Sequence, residues 1–215
     1  MIGGTSKPSC RIDPVAFKQA MREWAVPECL HQPIVARDLS AIEDHVGEIV
    51  EILSPNRALL VRPDPPPLPD LRLPIFEHSN VDALFHPLQI WVSPGYTRYR
   101  KAWRRALGGD AIDGKVLHHV FNRRMAKLRG FGFIRLAPIS RSANSSSAFT
   151  EGWGVALNTP DYVARLNARG LRIQYADLGS LMVMLDINLG GGVQEVFRLG
   201  QNLIEVPGIR PPQRL

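Results

Sequence analysis

Two adjacent histidines, His118 and His119, follow the apolar pair Val116 and Leu117 and lie inside the most basic part of a 215-residue chain. On an extended strand successive side chains point to opposite faces, so one imidazole of such a pair can pack or hold a metal while its neighbour faces a substrate. Phosphodiester hydrolysis needs a base that activates water and a cation that neutralises charge on the phosphate and the leaving oxygen. A neutral imidazole suits the first role at pH 7. Forked guanidinium groups suit phosphate, and Arg123 and Arg124 follow the pair closely, with Arg135 and Arg141 further along. The bland reading of the same residues is a chance pair, one member of it an ordinary core histidine. His31, His45, His78 and His86 stand in unrelated contexts and are assigned no chemistry.

The charge around the pair is concentrated. Residues 1–90 hold 8 Lys and Arg against 12 Asp and Glu, residues 91–141 hold 12 against 2, and residues 142–215 hold 6 against 6. A single basic segment, Trp91 to Arg141, in an otherwise balanced chain is the footprint of a phosphate-binding face. Nucleic acid, DNA ahead of RNA, is the expected partner, and an acidic protein is the alternative. Hydrophobic residues make up 45% of the chain, enough for a proper core. Cys10 and Cys29 form no disulfide framework and belong to no C-x-x-C pair, which points to a reducing compartment. No apolar stretch of signal-peptide length opens the chain and none reaches the roughly 20 residues of a membrane span. A cytoplasmic location without membrane attachment is therefore expected. Oligomeric state is not set by any of this.

The elements that must position these residues can be read in outline. Asp13-Pro14 predicts a helix start, with Phe17, Met21 and Trp24 on one face and Pro27 as its end. Glu48–Leu53 and Ala58–Val61 flank Ser54-Pro55-Asn56-Arg57 as a β-hairpin, in competition with a helix over Ser40–Leu53 opened by a Ser40/Glu43 capping box. Arg62-Pro63-Asp64-Pro65-Pro66-Pro67-Leu68-Pro69 excludes helix interior and central strand. It predicts a stiff connector and a domain boundary, with a protein-docking role as a lesser option. Leu88–Val92 predicts a strand. Tyr96–Leu107 predicts a helix ended by Gly108-Gly109, with Tyr99 and Trp103 on a core face and Arg100, Lys101, Arg104 and Arg105 on the others. Thr159-Pro160-Asp161 opens a helix that Gly170 closes, and Asp177–Ile187 predicts a second, more buried one. Gly190-Gly191-Gly192 is a turn, not a phosphate loop.

From Gly114 to Gly152 the chain resembles the HNH, or ββα-metal, endonuclease superfamily. The resemblance rests on His118-His119, on Asn144 in the middle position, and on a helix inserted after the pair at Asn122-Arg123-Arg124-Met125-Ala126-Lys127-Leu128-Arg129, ahead of a strand. It implies His118 as metal ligand, His119 as general base, and Asn144 as the brace that also opens the final helix. Asn144 reads equally as a plain helix N-cap. Ser145, Ser146 and Ser147 stand where the family's last histidine ligand is usual, and Glu151 is the nearest strong oxygen ligand. The implied cofactor is a divalent metal, Mg²⁺ first because it favours oxygen ligands, with Mn²⁺ or Zn²⁺ as alternatives.

The expected architecture is α+β: a helix-and-hairpin module over 1–62, the connector over 63–74, a basic core with a ββα-metal-like unit over 75–158, and a helical C-terminal region over 159–215 packed on the core. The expected activity is metal-dependent nucleic-acid hydrolysis. An inactive nucleic-acid-binding protein on the same scaffold and a protein adaptor using the basic face are the alternatives.

Overall fold

A computed structural model describes residues 26–65, 72–109, 112–147, 164, 167, 170–190 and 193–204. Its strands are β1 (Pro33–Ala36), β2 (Gly47–Ser54), β3 (Ala58–Pro63), β4 (Gln89–Val92), β5 (Val116–His119), β6 (Phe133–Ile139) and β7 (Ile173–Tyr175). Its helices are α1 (Leu39–His45), α2 (Tyr99–Leu107), α3 (Arg123–Leu128), α4 (Arg141–Ser146), α5 (Leu178–Met184) and α6 (Val193–Ile204). The class is mixed α+β: the strands run β2-β3-β4-β6-β1-β7 in one curled antiparallel sheet, with β5 paired to β6 off that path.

Several expected elements form for the expected reasons. The hairpin closes where Arg57 N–H donates to the Ser54 carbonyl, with Asn56 at φ 52°, a left-handed position that asparagine tolerates. The competing helix is confined to α1, and Asp38 caps it in place of Ser40, accepting from Ala41 N–H at 2.8 Å. That bond is the main reason the Asp38 carboxyl lies below its usual range. Helix α2 ends at Gly108 (φ 83°) and buries Ala102 and Trp103 against Ile90, Leu117 and Leu136. Helix α5 is capped by Asp177, which accepts from Ser180 N–H, and it buries Leu181, Met182 and Met184 in the largest core cluster. The expected first helix, at Asp13–Pro27, and the one opened at Thr159 lie wholly or mostly outside the described residues.

Three expectations do not hold. The proline run marks no domain boundary, because β3 before it pairs with β4 after it, Ala58 opposite Val92 through Val61 opposite Gln89, while β1 lies against β6. Pro63 sits at the end of β3, where a missing N–H is tolerated, and the chain beyond the prolines returns to the same sheet. The C-terminal region is not purely helical, since β7 adds to β1.

Arg135, expected at the phosphates, is 2% exposed. Its guanidinium donates to Gln32 Oε1 at 2.8 Å and to the Leu84 and Ala83 carbonyls at 2.9 and 3.2 Å. Burial draws its pKa from 12.5 down to about 10, so it is still protonated at pH 7. It ties β6 to the approach to β1 and to the turn around Ala83. Arg135→Met would leave those three acceptors without a donor, and we expect a loss of about 3 kcal/mol or more in urea denaturation; a variant within 0.5 kcal/mol of wild type, on the order of an exposed-surface change, would contradict this role.

Candidate functional site

Strand β5 pairs with β6 in the register His118 opposite Ala137 and His119 opposite Leu136. Directly opposed side chains share a face, so the two imidazoles separate. His118 shares its face with Val116, Ala137 and Ile139, which pack with Ala143 of α4 in the largest core cluster. His119 shares its face with Leu117 and Leu136, which pack against Trp103 of α2.

On the first face, His118 Nδ1 lies 2.9 Å from Asn144 Oδ1. A carboxamide oxygen can only accept, so His118 donates to it from Nδ1–H. Asn144 does not open its helix. Ser140 does, with its hydroxyl accepting from Ala143 N–H, and Asn144 lies one turn further on. The neighbouring serines have structural work: Ser146 and Ser147 donate to the Ala143 and Asn144 carbonyls, and Ser146 Oγ also accepts from Leu189 N–H. Ser140 N–H donates to Asp186 Oδ1 at 2.6 Å. Helix α4 is thus fastened to the C-terminal segment, and Asn144 with it.

On the second face, His119 meets the Tyr99 ring edge-on, with centroids 4.8 Å apart. Its Nε2 is buried without a hydrogen-bond partner, as is Trp103 Nε1. Burial first, and then the positive charges of Arg123 and His118, pull its pKa from 6.5 to about 4. Such an imidazole is neutral at pH 7 and a weak base.

Between β5 and α3 opens a cleft of about 520 Å³. Its polar lining includes His118, His119, Asn122, Asn144, Arg123, Arg124 and Lys127, and its apolar walls include Pro94, Leu117 and Phe121. Among the described residues, none that lines the cleft is a carboxylate. Asn122 caps α3 by accepting from Met125 N–H at 3.0 Å, which aims the first turn's arginines at the cleft. Arg123 Nε donates to the Pro94 carbonyl at 2.7 Å, fixing its guanidinium plane.

The structure therefore gathers His118, His119, Asn144, Arg123 and Arg124. Arg100, Arg104, Arg105 and Arg141 are exposed but do not line the cleft, and Arg105 pairs with Glu51 on β2. Glu151 lies outside the described residues. Among the described residues no three His, Cys, Asp or Glu side chains converge in a metal-holding group. Lys127 was passed over in the sequence although helical spacing puts it one turn from Arg123. Pro94 and Phe121 carry no comparable signal, since only the fold brings Pro94 across from α2's side.

Because the folded pKa of His119 lies below its unfolded value, the unfolded chain binds the extra proton between about pH 6.5 and 4, and stability falls as pH falls through that window. We expect a loss of about 2 kcal/mol from this residue between pH 7 and pH 5. His119→Phe should flatten the pH dependence of urea denaturation over that range; an unchanged slope would contradict the burial of this ring.

No protein-family model matches the chain, and neither does any curated protein or any solved structure.

Proposed function

We propose that the cleft binds the phosphates of nucleic acid and hydrolyses a phosphodiester, with His118 as general base. One observation carries this reading: an imidazole whose Nδ1 is bonded to Asn144 Oδ1 lines a cleft whose charged lining, among the described residues, is cationic. Nε2 of His118 accepts a proton from the attacking water as its oxygen bonds to phosphorus and the opposite ester P–O bond breaks, and the leaving oxygen takes its proton from solvent. Nδ1–H stays bonded to Asn144, which stabilises the imidazolium until Nε2 returns its proton to water. Arg123, Arg124 and Lys127 neutralise the charge that builds on the phosphate oxygens, and Arg123 is already oriented by Pro94. The base role that the HNH resemblance implies for His119 thus passes to His118, since His119 is tucked against Tyr99 and weakly basic. No step is routed through a metal: Glu151, the expected oxygen ligand, lies outside the described residues. An Mg²⁺ dependence resting on Glu151 is part of the same test. Among the described residues no helix is long and apolar enough to cross a membrane, and a cytoplasmic location belongs to this proposal.

A second reading, nucleic-acid binding without hydrolysis, is favoured by one feature: the described residues leave a single competent imidazole. Plasmid nicking separates the two. His118→Ala should lower nicking by roughly a hundredfold or more while binding changes little, and EDTA reports whether a cation is needed. Binding without nicking under any of Mg²⁺, Mn²⁺ or EDTA would establish the second reading.

Binding itself should be dominated by phosphate neutralisation. Replacing Arg124 and Lys127 together by alanine should weaken all sequences alike and reduce the slope of log affinity against log salt by about one unit per cation. Electrophoretic mobility at several salt concentrations measures this, and an unaltered slope would move the phosphates elsewhere.

A further inference from the structure

We infer that the cleft takes an unpaired base against the Phe121 ring, making its ligand a single-stranded nucleic acid. This rests on the phosphate-binding reading above and adds to it the form of the ligand.

Phe121 lies two residues beyond β5 and forms a wall of the cleft. The ring is held in place. It meets Phe131 edge-on, with centroids 6.1 Å apart and planes at 79°. The Arg129 guanidinium lies 5.7 Å from the Phe121 centroid and 5.2 Å from that of Phe131, and Arg129 is itself anchored to Gln174 Oε1 at 2.5 Å. Fixing the ring in advance removes an ordering cost from binding. A fixed aromatic wall beside Arg123, Arg124 and Lys127 is the combination that single-strand binding uses: cations follow the backbone, and a base stacks on the ring whatever its identity.

Size and geometry point the same way. A cleft of 520 Å³ falls in the range of about 300–1,000 Å³ that encloses a small ligand. A duplex, whose major groove alone is about 12 Å wide, would span it. Paired bases also present only their edges in the grooves, whereas stacking on a ring requires an exposed base face. Leu117 and Pro94 also line the cleft, largely buried, and their side chains offer a base no hydrogen-bond code. Little sequence preference follows.

Fluorescence anisotropy on the full chain tests this with three labelled probes of matched length: single-stranded DNA, the same backbone made abasic, and duplex. Wild type should bind the base-bearing strand roughly tenfold or more tighter than the abasic one, the effect of one well-stacked base. Phe121→Leu, which keeps an apolar side chain at the wall, should bring the base-bearing strand down to abasic affinity with an unchanged salt slope, and Phe121→Trp should restore the difference. Equal wild-type affinity for base-bearing and abasic strands, or preference for duplex, overturns the stacking inference alone, and needs no variant to fold. Failure to bind any probe at low salt overturns the phosphate-binding reading as well.

Discussion

The site depends on the pairing register of two short strands. Because His118 stands opposite Ala137 and His119 opposite Leu136, two adjacent imidazoles of the same intrinsic chemistry are sent to opposite faces of the sheet. One meets a carboxamide on α4, and the other meets an aromatic ring on α2. A slip of one residue would exchange them. The register is held by the cores on both faces, with Ala137 and Ile139 on one side and Leu117 and Leu136 on the other, so the division of roles is a packing result before it is a chemical one.

Charge is divided by the same architecture. The basic segment is continuous in sequence but not in space: Arg135 is sunk into the core, where it gathers three oxygens, and Arg129 lies over two phenyl rings. Arg123 is half withdrawn, its Nε spent on Pro94 while its charge still depresses His119. Arg124 and Lys127 remain at the cleft's exposed lining. A guanidinium can serve as structure or as ligand site because it offers five donors, and which it does depends on whether protein oxygens surround it.

The sequence made local structure legible where local physics decides it. The hairpin, the helix ended by Gly108 and the helix capped by Asp177 all rest on turn residues, caps or periodicity within a few positions, whereas the helix and strand after the histidine pair were expected from the HNH resemblance. Pairings across long separations were not legible. Nothing local says that β3 rejoins β4 beyond the prolines, that β1 lies on β6, or that β7 forms at all. At the site, the pair, Arg123 and Arg124 stand out by type and spacing and Asn144 through the HNH resemblance, and the fold places all five at one cleft. The helix-opening role expected of Asn144 failed because Ser140 takes the cap four residues earlier, which frees the carboxamide to reach His118. Arg135 was misplaced because a basic residue in a basic segment looks alike in sequence whether it ends inside or outside.

The division between the two imidazoles is the claim on which the rest turns. Long-range ¹H–¹⁵N correlation NMR of the histidine side chains reads it directly, with His118→Gln and His119→Gln spectra to assign the signals. The account predicts His118 as a single tautomer protonated on Nδ1 whose resonances move when a short oligonucleotide is added, and His119 as a neutral ring that stays neutral down to about pH 5. Two rings that gain their protons together in the ordinary histidine range, neither of them responding to the oligonucleotide, would contradict it.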